Sequence, residues 1–203
     1  MIVVDIETSG MHYVECGIFQ IGAIDTDNPE NHFVDECRID DDDIVIQEAL
    51  DVTGKTEKYL RDTNKQSQKQ LLEKFITWCG SIKIKNFVCQ NPQFDFAFIK
   101  IKTEKYGLQM PVHFRCFDLH TAASLKYVQV YGQLLTRNNH SDMGLPNVLR
   151  FCGMEDDRTT HDALEDAELT AECLSRIFYG KNLLKKFEAY AIPKYLKEQY
   201  QNR

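Results

Sequence analysis

No two cysteines in this sequence are spaced C-x-x-C; the seven, Cys16, Cys37, Cys79, Cys89, Cys116, Cys152 and Cys173, are an odd, scattered set. Without a secretory signal they argue against a disulfide framework and read as reduced thiols, most of them small apolar core residues. A zinc site begun from Cys116 and His120 lacks a second ligand pair at suitable spacing. Long apolar runs are missing too, none approaching the roughly 18 residues of a membrane span. The opening Met1-Ile2-Val3-Val4-Asp5 has neither a basic segment nor a signal-type apolar stretch. The expectation is a cytoplasmic protein with no membrane partner. Positive charge is scarce, 24 Lys and Arg against 31 Asp and Glu for a net charge of −7, whereas nucleic-acid binders usually show a basic footprint. Repeats and low-complexity linkers are absent, and 203 residues, 43% of them hydrophobic, suffice for one sizeable core.

Apolar alternation predicts strands over 2–6, 17–25 and 32–39, an antiparallel meander. The four acids Asp40 to Asp43 follow, read as a solvated loop. The period then changes to that of helices. Residues 66–79 carry the stripe Leu71, Leu72, Phe75, Ile76 and Cys79, with Gly80 as the stop. A short strand is expected at 86–90, a helix at 94–106, a strand at 115–117 and a helix at 118–127. A polar loop at 136–142 leads to helices at 145–152 and 163–179. Strands first, then strands alternating with helices, predict an α/β fold with a mixed sheet and helices on its faces over residues 1–180. The remainder, 181–203, holds six basic and two acidic residues and reads as a basic, helical tail.

Asp5 and Glu7 lie two apart at the end of an otherwise apolar strand, so both leave the same face of the sheet. Like-charged carboxylates at about 4 Å in an effective dielectric of about 20 cost on the order of 4 kcal/mol, which asks for a cation. Asp95 falls in the first turn of a predicted helix, where the macrodipole favours a carboxylate. His161 stands at the entry of the last core helix, with Asp166 five residues on.

Three ordered motifs, Asp5-Ile6-Glu7-Thr8, Asn91-x-x-Phe94-Asp95 and His161-x4-Asp166, resemble those of the DEDD superfamily of 3′–5′ exonucleases. Gln20-Ile21-Gly22-Ala23 and His161-Asp162-Ala163-Leu164-Glu165-Asp166-Ala167 support the resemblance, which spans about residues 1–179. The tyrosine branch would carry Tyr at Asp162, so the resemblance is to the histidine branch, which includes ribonuclease T, oligoribonuclease and the proofreading subunit of bacterial replicative polymerase. Gln90 and Pro92 depart from common family residues.

The resemblance implies an RNase H-like exonuclease fold with a five-stranded mixed sheet and helices on both faces. It implies that Asp5, Glu7, Asp95 and Asp166 hold two divalent ions, Mg²⁺ or Mn²⁺, and that His161 is the general base, since an imidazole ordinarily titrates near 6.5. The implied reaction is hydrolysis of phosphodiester bonds at the 3′ end of single-stranded DNA or RNA, releasing nucleoside 5′-monophosphates. Thr8, Ser9, Gly10, Met11 and Phe94 are the expected substrate contacts, with Phe96 a further stacking candidate. Lys83, Lys85, Lys100, Lys102 and Lys105 are candidates for a local basic side. An alternative is a catalytically silent adaptor binding nucleic acid or a polymerase; such a chain usually has a replaced carboxylate, and here all five positions are intact. DNA against RNA stays open, as do a polymerase partner and self-association.

Overall fold

A computed structural model describes residues 1–197. The chain begins with strands β1 (Ile2–Thr8), β2 (Ile18–Asp25) and β3 (His32–Glu36), followed by helices α1 (Gln47–Thr53), α2 (Glu57–Leu60) and α3 (Gln68–Ser81). Strand β4 (Asn86–Cys89), helix α4 (Pro92–Lys105), strand β5 (His113–Asp118) and helix α5 (Leu119–Tyr131) then alternate. A small hairpin, β6 (Thr136–Arg137) and β7 (His140–Ser141), precedes α6 (Leu145–Phe151) and α7 (Ala163–Tyr179). A 3₁₀ turn at Lys185–Phe187 and α8 (Lys194–Lys197) follow. The expected basic tail therefore includes these two elements, and its last six residues, 198–203, lie outside the described ones.

The sheet has the order β3-β2-β1-β4-β5. Its first three strands pair antiparallel, and β1–β4 and β4–β5 pair parallel. Strand β1 is central because apolar side chains leave it on both faces. Ile2, Val4 and Ile6 pack with Leu71, Leu72, Phe75, Phe98 and Ile99 from α3 and α4. Val3 packs on the opposite side with Leu119, Val148, Ala167 and Ala171 from α5, α6 and α7. The five-stranded mixed sheet with helices on both faces is thus as expected. The period of two assigns Asp5 and Glu7 to the face of Val3, under α7.

Glycine and glutamine on β2 set how closely α7 approaches. Gly22 pairs with Asp5 and Gln20 with Glu7 across the ladder. A Cβ on Gly22 would stand 2.1 Å from Leu164 N and 2.2 Å from Ala163 C, so only glycine admits the first turn of α7 here. Gln20 Oε1 accepts from Ala163 N at 3.1 Å, and its Nε2 donates to Asp162 Oδ2 at 2.8 Å. Asp162 Oδ1 accepts from Leu164 N and Glu165 N, closing the helix start.

Four local expectations are corrected. Helix α3 runs through Gly80 to Ser81, because a Ser67–Gln70 capping box starts it and Gly80, in open space, has no left-handed turn to make. Residues 136–142 are not a plain loop. Asn138 and Asn139 take φ of 51° and 64°, the pair of left-handed residues that a two-residue hairpin needs. Of the four acids expected in a solvated loop, Asp41 and Asp42 are exposed, but Asp43 is buried. Asp43 accepts from Lys102 Nζ at 2.7 Å and Gln68 Nε2 at 2.9 Å, with both side chains of the ion pair almost wholly buried. Asp40 meets Lys105 and the Tyr106 hydroxyl, and Asp42 meets Lys105. The same bonds remove Lys102 and Lys105 from the expected basic side, and Lys100 lies 3.8 Å from Glu104.

Beyond α7 the chain returns to the core. Glu172, fully buried on α7, accepts from Leu183 N and Leu184 N and pairs with Arg176, whose other nitrogens reach Cys152 O and Phe187 O. Phe187 and Leu196 are buried against α7.

Candidate active site

The C-terminal end of β1, the start of α4, the start of α7 and helix α1 enclose a cleft of about 500 Å³. Asp5, Glu7, Asp95, His161 and Asp166 all line it, from segments up to 161 residues apart in numbering. Asp5 and Glu7 arrive on β1, Asp95 in the first turn of α4, and Asp166 in the first turn of α7. His161 lies just before that helix, its backbone N–H donating to Val52 O at 3.3 Å. Ligand atoms of Glu7, His161 and Asp166 lie within 4.8 Å of one another, the one such group of His, Cys, Asp and Glu among the described residues. Asp5 and Asp95 share the cleft without joining that tight trio, and Cys116 with His120 forms no such group.

Electrostatics marks the same residues. Burial, then repulsion from Asp166, Asp162 and Asp95, pushes Glu7 up to about 8. Burial pushes Asp95 up to about 7, against hydrogen bonds from its own backbone and that of Ile6. Asp5 is raised well above the usual carboxylate range by burial and by Asp95, Asp166 and Glu7. Burial raises Asp166 too, opposed by the Arg158 guanidinium. Perturbed acids gathered in a cleft mark a functional site. Glu7 Oε1 is buried and without a hydrogen-bond partner among the described residues. An orphaned oxygen amid mutually repelling carboxylates fits a hard divalent cation.

The expected substrate contacts separate into two groups. Thr8, Gly10, Met11 and Phe94 line the cleft, Met11 most exposed at 75%. Thr8 donates its hydroxyl to Gly10 O at 2.8 Å, holding the turn. Phe94 also packs on Phe98, ring centres 4.8 Å apart. Ser9 is a correction: it is fully buried, its hydroxyl donating to Ile44 O at 2.6 Å and accepting from Gly17 N at 2.8 Å. Its backbone N–H and carbonyl are taken by Gly17 and Ile46. Ser9 therefore ties the α1 segment to β1 and has nothing left for a ligand. Phe96 sits against Phe87 away from the cleft.

Sequence reasoning missed the opposite wall, Ile46, Ala49 and Val52 of α1 and its approach, with Leu145 and Pro146 of α6. The signal was a short apolar pattern closed by Gly54, which takes a φ of 67°. It also missed Arg158, the one Lys or Arg lining the cleft among the described residues.

A family model described as Exonuclease, of the RNase T type, matches residues 2–174. No curated protein matches by sequence. Among solved structures, the nuclease domain of 3′hExo, a DEDDh family member bound to rAMP, is similar at 18% identity and TM-score 0.67, over 91% of this chain and 94% of that one. Cell-death related nuclease 4 is similar at 18% identity and TM-score 0.68, over 89% of this chain. A zinc-bound complex of E. coli exonuclease I with single-stranded DNA is similar at 19% identity and TM-score 0.69, over 88% of this chain. This chain spans only 64% and 41% of the latter two. With the family matched from the first strand into the last core helix, and the carboxylates and histidine of its motifs facing one cleft, the chain belongs to the RNase T-type exonucleases.

Proposed function

We propose that the protein is a metal-dependent 3′–5′ exonuclease that removes nucleoside 5′-monophosphates from single-stranded 3′ ends. The observation that carries this reading is the convergence of Asp5, Glu7, Asp95, His161 and Asp166 on one cleft whose acids are held at raised pKa by burial and by one another. The family implies divalent ions. Two Mg²⁺ or Mn²⁺ ions held by these four carboxylates would supply Lewis acidity and charge neutralisation at phosphorus.

The protein's own residues do the rest. His161 Nδ1 lies 3.4 Å from Asp166 Oδ2. A proton on Nδ1, facing that carboxylate, leaves Nε2 free to take one from the attacking water. The ring is half exposed to the cleft, as an exchanging base has to be. Met11, Ile46, Val52 and Leu145 offer an apolar surface to the terminal base. Contact with a base face reads no hydrogen-bonding edge, so sequence preference is expected to be weak.

The test is digestion of oligonucleotides, DNA and RNA, single-stranded and duplex, labelled at either end. A 3′ label should leave at once as mononucleotide, while a 5′-labelled strand shortens as a ladder. Full activity in EDTA, or cleavage of a circular single strand, would overturn the proposal.

A further inference from the structure

Arg158 occupies the loop before α7, its side chain only 7% exposed. Its Nε and Nη2 donate to the two oxygens of Asp156 at 2.8 and 2.9 Å. Its Nη1 donates to Asp166 Oδ1 at 2.7 Å. Asp166 Oδ2 faces His161 Nδ1, so both oxygens of this carboxylate already have partners. Glu7 Oε1, in the same cluster, has none. The acids therefore differ in availability: a cation entering beside Glu7 meets a free oxygen, whereas one drawing on Asp166 contends with a guanidinium.

We propose that Arg158 is a tethered internal counter-ion that competes with the divalent cation for Asp166 and so sets the metal affinity of the site. Resting on the function proposed above, the inference adds a residue outside the set of four carboxylates and His161. The fork geometry explains why arginine serves here. Two of its nitrogens stay on Asp156 at the rim while the third points inward, so the group can release Asp166 without leaving the loop. The charge is felt beyond its partner, since Arg158 also lowers Asp5 against the effects that raise it. Arg158 lines both the main cleft and a smaller recess formed with Asp51, Asp156, Thr159 and Thr160, which gives the released side chain a place to move.

The test is Mn²⁺ titration of the full chain without nucleic acid, by calorimetry or by the spin resonance of free Mn²⁺. Arg158→Gln should tighten Mn²⁺ binding by about tenfold, the scale of one lost charge-assisted hydrogen bond. In EDTA the same variant should melt at a lower temperature than the native protein, and Mn²⁺ should raise that temperature by more. Unchanged or weaker Mn²⁺ binding overturns the proposal, because a residue that merely positions Asp166 would lose affinity when removed. If Arg158→Gln is not recovered folded, Arg158→Lys carries the same reading, its single ammonium being unable to span both acids: tighter binding supports, unchanged or weaker binding overturns. Glu7→Gln is the control for the underlying function. If it binds Mn²⁺ as the native protein does, the assigned metal site fails, and that result is distinct from any result at Arg158.

Discussion

At the scale of single residues, the two candidate tasks of His161 can be separated. Asp162, not His161, caps α7, and His161 is held through its backbone by Val52. Its ring is therefore dispensable for the fold. Yet the ring belongs to the trio within 4.8 Å, where it could ligate. As a general base, it should on replacement by Ala lower kcat by about 10² to 10⁴ without weakening Mn²⁺ binding. As a ligand, it should cost affinity as well. Measuring kcat and Mn²⁺ Kd together on His161→Ala and His161→Asn distinguishes the two, with loss of kcat alone the expected outcome. Gly22 acts at the same scale through what it lacks. Gly22→Ala would drive a methyl into the backbone of Ala163 and Leu164, which cannot turn aside as a side chain would. Destabilisation of about 3 kcal/mol, the upper end for an overpacked site, is expected in urea denaturation. Activity should fall further than stability explains, because His161 and Asp166 move with α7.

At the scale of elements, what was legible depended on how local the cause was. Helix α7 was foreseen at both its ends, 163 and 179, and its boundary signals are local: Asp162 stands directly before it and Gly180, at φ 61°, directly after. The catalytic-type motifs were legible because each is a short pattern with a known relative. Within the acidic run, Asp43 was misread because its cation lies about sixty residues away. Nothing within Asp40 to Asp43 announces that Lys102 on α4 and Gln68 on α3 converge on Asp43. Helix α1 was missed because it begins after Ile46 with no capping side chain, whereas α6, equally short, carries Pro146 in its first turn. These two omissions are one structural fact, since Asp43 immediately precedes the segment that Ser9 ties to β1 and that continues into α1. Lys102→Met should leave the Asp43 carboxylate buried without its cation, a loss of about 3 to 5 kcal/mol. Because α1 forms one wall of the cleft, the same variant should raise KM for oligonucleotides more than it lowers kcat. An unchanged denaturation midpoint would mean that the pair is not buried in solution.

At the scale of the whole molecule, the crowding of acids should link folding to pH and to metal. Glu7 is raised from an ordinary 4.5 to about 8 and Asp95 from 3.8 to about 7. Between about pH 4 and 8 the folded protein therefore holds protons that the unfolded chain has released. Stability from these groups is fully present below their unfolded pKa and is lost as pH rises through the folded values, by up to about 1.4 kcal/mol per pH unit for each group. The net charge of −7 pushes in the same direction through general repulsion, so a falling melting temperature alone does not identify the site. Divalent binding makes the distinction, because it requires the deprotonated carboxylates and its benefit grows as they lose their protons. Melting curves collected from pH 5 to 8 should fall steadily in EDTA and stay nearly level in Mn²⁺, the gap between them widening with pH. Asp95→Asn should narrow that gap while leaving the general charge repulsion in place. Two native curves that run parallel would show that the acids of the cleft do not share their protons with a cation, and the ligand assignment of Glu7 and Asp95 would fall with them.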